Sequence, residues 1–191
     1  MKTIKENIIN EIEIKNSKFI TLIIKINNDN IKSILEEIKN TYPKATHYCY
    51  GYIYNNIERS SDDGEPSSTA GLPILNVLKK ENLNNILVVV VRYFGGIKLG
   101  AGGLIRAYTK SVTEALKQAN YTNLIEGYKI NIEFNYSEEK QINYLLKDSI
   151  IIDKNYNELI NYIVLIDKNI EENLLPYNYK ILENIYIEKD S

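Results

Sequence analysis

The chain has 191 residues, 44% hydrophobic and 25% charged, which is enough apolar material for a packed core in one large domain or two small ones. A formal charge of −2 gives no global case for nucleic acid or an acidic membrane, and a single cysteine, Cys49, excludes an internal disulfide and fits a reducing compartment. No basic start followed by an apolar run opens the chain, and no apolar run approaches the roughly 18 residues needed to span a bilayer, so a soluble, cytoplasmic protein without a membrane partner is expected.

From Ile8 to Ile14 and from Phe19 to Ile26 apolar and polar residues alternate, with Asn16 and Ser17 between them, which predicts a hairpin. A helix follows, with Ile31, Ile34, Leu35 and Ile38 on one face, Asp29 or Asn30 as cap, and an end near Asn40 before Pro43. Thr46 to Tyr54 reads as a third strand, rich in tyrosine. It carries His47, a structural histidine on one reading and a ligand or base on another. No second histidine exists to build a metal site with it.

Residues 60–73, SSDDGEPSSTAGLP, read as a loop leading into a helix over Leu72–Lys80, with Pro73 in its first turn and Ser68 or Thr69 as cap. Asp62, Asp63 and Glu65 have three readings. They are solvated turn residues, or oxygen ligands for a hard cation without the spacing of an EF-hand, or partners of Arg92 or Arg106 that brace the next segment. Neither a metal site nor a cofactor is assigned.

The stretch from Ile86 to Ala119, ILVVVVRYFGGIKLGAGGLIRAYTKSVTEALKQA, dominates the chain. Ile86 to Val91 is a β-branched run fit for a strand buried on both faces. From Gly103, Leu104, Tyr108, Val112 and Ala115 recur at helical spacing, to an end near Asn120. Between them stand Gly95, Gly96, Gly100, Gly102, Gly103 and Lys98. A strand, a glycine loop and a helix leave free N–H groups at the helix start, a site for an anion. No acid occurs from Asn82 to Thr113, whereas Arg92, Lys98, Arg106 and Lys110 do. The competing reading is a tight turn whose glycines only permit close packing. Neither a P-loop nor a dinucleotide fingerprint is present: Ala101 and Gly102 stand where a P-loop needs Lys and Ser or Thr, and Ile105 where the fingerprint needs its third glycine.

Near Gly127 the pattern changes. Strand (Tyr128–Phe134), helix (Ser137–Leu146), two strands (Ser149–Asp153, Glu158–Ile166), short helix (Lys168–Leu174) and strand (Tyr179–Ile187) follow, which is the βαββαβ, ferredoxin-like plan. The charge divides too: residues 1–128 carry a net +3 and residues 129–191 a net −5. An α+β chain of two domains, 1–127 and 128–191, is therefore expected, the second a scaffold or partner-binding module.

The blocks ATHYCYGY (45–52), SDDGEPSSTAGLPIL (61–75) and VVVVRYFGGIKLGAGGLIRAYTKSV (88–112), with KNSKFI (15–20), resemble the Impact family and its bacterial YigZ-like members. The family usually carries Gly where this chain has Ser68, and often Ala where it has Gly51. The resemblance implies an N-terminal domain like the second domain of the ribosomal protein S-five superfamily. It implies a C-terminal domain like the last domain of elongation factor G. It also implies a role in translation, since eukaryotic members regulate translation under amino-acid starvation through a partner protein.

Two functions follow. One is a non-enzymatic translation-associated regulator that binds RNA, or a ribosome- or translation-associated protein, through Arg92, Lys98, Arg106, Lys110 and the glycines, with Tyr93 and Phe94 stacking on unpaired bases. The other is a small enzyme that holds a phosphorylated ligand at Lys98 and Gly100–Gly103, with Mg²⁺ on Asp62, Asp63 or Glu65.

Overall fold

The computed structural model describes residues 1–27 and 30–188; Asp29, one of the two expected caps, lies outside them. The chain divides into two compact units, Met1–Asn123 and Leu124–Ser191. Its class is the expected α+β.

In chain order the first unit holds β1 (Lys2–Ile4), β2 (Ile8–Ile14), β3 (Ser17–Lys25), α1 (Ile31–Thr41), β4 (His47–Tyr54), β5 (Ile57–Ser61), α2 (Gly71–Lys80), β6 (Ile86–Tyr93) and α3 (Gly100–Leu116). Strands β2-β3-β6-β4-β5 form one antiparallel sheet in that order. Central β6 is covered on both sides, and Ile86 to Val91 are all fully buried. Burying such side chains contributes roughly 1.5–3 kcal/mol each, so this strand anchors the unit. On one face Val88 and Val90 meet Phe19, Ile74 and Leu78 of α2, and Leu104, Tyr108 and Val112 of α3. On the other, Leu87, Val89 and Val91 meet Ile31 and Ile38 of α1.

The predicted hairpin is present, but Ser17 belongs to β3; Lys15 and Asn16 make the turn with φ of 46° and 62°. The loop expected from residue 60 starts later, because Ser60 and Ser61 pair with Gly51 and Tyr50 in edge strand β5. Helix α3 begins at Gly100, not Gly103, and ends at Leu116, short of Asn120.

The second unit takes up β7 (Tyr121–Phe134) from Leu124, then a 3-10 turn (Tyr136–Glu138), α4 (Glu139–Leu145), β8 (Ile150–Tyr156), β9 (Ile160–Asp167), a second 3-10 turn (Lys168–Ile170), α5 (Glu171–Leu174) and β10 (Asn178–Glu188). Its sheet runs β10-β7-β9-β8, all antiparallel, which realises the predicted βαββαβ plan. Ile130, Ile132, Phe134, Tyr162 and Val164 form its core with Ile142 and Leu174 of the helices. Ser137 does not start α4: Glu138 accepts from the Asn135 N–H at 2.8 Å instead. The break expected at Gly127 falls inside β7, downstream of the division between the units. A Cβ on that glycine would lie 2.4 Å from the Ile166 carbonyl oxygen. Among the described residues no helix is long and apolar enough to cross a membrane.

Just beyond β6, Gly95 rests on the β2–β3 turn, where a Cβ would come within 2.0 Å of the Asn16 carbonyl carbon and oxygen. Backbone cannot yield as a side-chain tip does, so Gly95→Ala is expected to destabilise the first unit by about 1–3 kcal/mol. Urea unfolding followed by circular dichroism, with an unchanged slope, measures the loss.

Candidate functional site

Arg92 sits two residues after Val90 on β6 and so points to the same, α3-covered face. In register its Cα partners are His47 on β4 and Phe19 on β3. The residue is 4% exposed. Its Nη1 donates to Glu65 Oε1 at 2.5 Å and its Nη2 to Ser17 Oγ at 3.4 Å, while the guanidinium lies over the Phe19 and Phe94 rings. The Tyr108 hydroxyl donates to the same Glu65 oxygen at 2.8 Å. Cys49 Sγ lies 3.2 Å from that hydroxyl. The Asp63 carbonyl accepts from His47 Nδ1 at 2.8 Å, which leaves Nε2 facing Glu65 Oε2 at 3.8 Å. Arg92 is thus removed from the exposed basic surface to which it was assigned; buried Glu65 and half-buried His47 are its company.

Burial holds the thiol and phenol of this polar knot in their protonated forms. Burial pushes the Cys49 thiol up to about 12, so it is no thiolate nucleophile at neutral pH. Burial likewise raises the Tyr108 hydroxyl, which remains a donor to Glu65.

The carboxylates of the SDDGE loop are engaged by the protein itself. Asp62 Oδ1 accepts from the Ala70 and Gly71 N–H groups at 2.9 and 2.8 Å, and Oδ2 from Ser68 N–H at 2.7 Å. Asp62 therefore caps α2; Ser68 and Thr69, the expected caps, do not. Partial burial by itself would raise the Asp62 carboxyl, but the donors from Gly71, Ser68 and Ala70 outweigh it and hold it below its ordinary 3.8. Asp63 accepts from Tyr48 N–H at 2.7 Å. Among the described residues no group of three or more His, Cys, Asp or Glu gathers as a metal site. Ser68 has φ 62°, a left-handed backbone that explains why the family pattern prefers glycine there.

The outer surface keeps the rest of the predicted set. Lys98, Arg106 and Lys110 are exposed. Among the described residues none of them is paired with a carboxylate. Gly102, Arg106 and Lys110 follow one another at i, i+4 and i+8, on one face of α3. Among the described residues no side-chain hydrogen bond to the α3 start at Leu99 is seen. Of the five glycines, Gly96 and Gly100 take φ of 85° and 68°, Gly95 has no room for a side chain, and at Gly103 a Cβ would sit 3.1 Å from Leu99 Cβ. Gly102 alone has neither reason; a Cβ there would meet only the Arg106 tip at 3.5 Å. Phe94 is 46% exposed, whereas Tyr93 packs toward the α1 side and donates from its hydroxyl to the Pro43 carbonyl at 3.2 Å, so only Phe94 offers a face for stacking.

Two consequences are measurable. Glu65→Met leaves the Arg92 charge buried without its counter-charge and is expected to cost on the order of 3–5 kcal/mol, whereas replacing Glu65 and Arg92 together by Met recovers most of the loss; with Arg92→Met, a double-mutant cycle by urea unfolding gives the coupling. Because the folded pKa of Asp62 lies below its unfolded value, its contribution is complete above pH 3.8 and lost as pH falls through the folded value. Asp62→Asn is therefore expected to lower the midpoint at neutral pH and to flatten the acid limb of a thermal-melt pH series.

The Impact N-terminal domain matches residues 15–116 of the chain. The IMPACT family member YvyE of Bacillus subtilis is 46% identical over 128 residues, 65% of this chain and 58% of that relative, so the chain spans under two thirds of its length. The IMPACT family member YigZ of Escherichia coli is 36% identical over 152 residues, 75% of this chain and 74% of its own. A crystal structure of a hypothetical protein superposes with a TM-score of 0.71 at 29% identity, over 95% of this chain and 97% of that one. With a domain match over more than half of the residues, and a relative at 36% identity matched along most of its own length, the chain belongs to the Impact family.

Proposed function

We propose that this protein is a non-enzymatic, translation-associated binding module whose first unit engages RNA through the start of α3. The link to translation is the one that the family resemblance implies. The observation that carries the RNA reading is the set Lys98, Arg106 and Lys110, exposed and unpaired with carboxylates among the described residues, beside the uncapped start of α3. Phosphates gain from such cations by releasing counterions, and helix-start amides add a fixed positive potential. Gly102 supports the same reading: a Cβ there would meet only the Arg106 tip, so its lack of a side chain leaves room for another molecule to approach the helix start. Exposed Phe94 supplies one stacking platform.

The enzyme reading finds less support. The carboxylates it would place on Mg²⁺ are turned to other work: Asp62 to α2, Asp63 to β4 and Glu65 to Arg92.

Binding of a U-rich RNA oligomer is expected to weaken steeply with salt, with a log–log slope that falls by about one on Arg106→Ala or Lys98→Ala. Gly102→Ala is expected to raise helix stability by about 0.5–1 kcal/mol and yet weaken RNA binding. Filter binding across a salt series, beside thermal melts, reads both. An affinity for RNA that is absent even at low salt overturns the proposal.

A further inference from the structure

Helices α2 and α3 leave a groove of about 300 Å³ between them, lined by Leu72, Pro73, Asn76, Val77, Lys80 and Ile105 among others. Leu72 and Ile105 are 43% and 42% exposed, unusual for large aliphatic residues beside the buried Pro73 and Val77. Among the described residues Lys80 is the one charged residue of its lining, which includes no carboxylate and no aromatic ring.

We infer that this groove docks an acidic amphipathic helix of a partner protein. An apolar trough between two helices accepts a third through anchors at i, i+3 or i+4, and i+7. Two aliphatic side chains of the partner cover Leu72 and Ile105, and one of its carboxylates meets Lys80. The sign of the rim selects an acidic partner and repels a basic one. RNA bases have no ring to stack on within the groove, so its walls fit aliphatic anchors and not nucleotides. The inference rests on the binding-module reading above but not on its RNA part.

The test is an amide-shift titration of the full chain with three probes. The first is a peptide of about 15 residues, long enough for partial helicity, with Leu at i, i+4 and i+7 and Glu on the outward positions. The second has Lys in place of every Glu, and the third is a U-rich RNA oligomer. The acidic peptide is expected to shift Leu72, Val77, Ile105 and Thr109 saturably, and the basic one to leave them unmoved. Leu72→Ser with Ile105→Ser, both at exposed positions, is expected to weaken the acidic peptide about tenfold or more without lowering the melting temperature. RNA that shifts Lys98 and Arg106 but not Leu72 and Val77 keeps the two surfaces separate, as expected. Groove amides unmoved by millimolar acidic peptide, equal binding of the basic peptide, or RNA shifts centred on Leu72 and Val77 each overturn the inference.

Discussion

The ion pair between Glu65 and Arg92 is the constraint on which the geometry of the first unit turns. It joins a loop to the central strand, and its carboxylate oxygen also receives the hydroxyl of Tyr108 from the long helix. A charge moved out of water to this depth is tolerated only when its partner is in place. Arg92 Nη1 and Nη2 are bonded to Glu65 and Ser17, while its buried Nε has no hydrogen-bond partner among the described residues. Loop, sheet and helix must therefore agree in position to within a hydrogen bond. The basic surface outside inherits its definition from that agreement, since Tyr108 and Arg106 share one helix and the segment carrying Phe94 and Gly95 leaves directly from the strand that carries Arg92.

The same cluster sorts the cations. Four basic residues in an acid-free stretch look equivalent when read along the chain, yet one is a buried strut and three face solvent. The difference is one of periodicity. Arg92 is on a strand with a repeat of two and falls in step with Val88 and Val90, while Arg106 and Lys110, a helical turn apart, are exposed.

Much of the architecture was legible because apolar periodicity was strong. The β-branched run of β6, the stripe of α3 and the alternation of β7 and β9 all leave unmistakable patterns in the sequence. What escaped was decided by contacts distant in sequence or by turns without glycine. Edge strand β5 has a mostly exposed, polar sequence, and Asn55 and Asn56 enter its turn with φ of 46° and 65°, a left-handed pair that composition alone does not announce. The glycines at the start of α3 read as loop, since their weak helix preference is overridden by the packing of Leu104 and Tyr108 beneath them. The cap of α2 comes from Asp62, well before the helix, where local rules point to Ser68 or Thr69. The inward turn of Arg92 did leave a signal, namely its spacing from Val90. The groove between α2 and α3 left none, because it is made by two helices that meet only in space.

The pairing of β1 with the opening residues of β7, Lys2 opposite Asn123, has a consequence in time. A chain made from its first residue onward cannot close this unit until residue 123 has been added, by which point α3 is already complete. Contacts of such long sequence separation slow closure, and they form as a group rather than one by one. The first unit therefore closes only once the segment that follows α3 has been made.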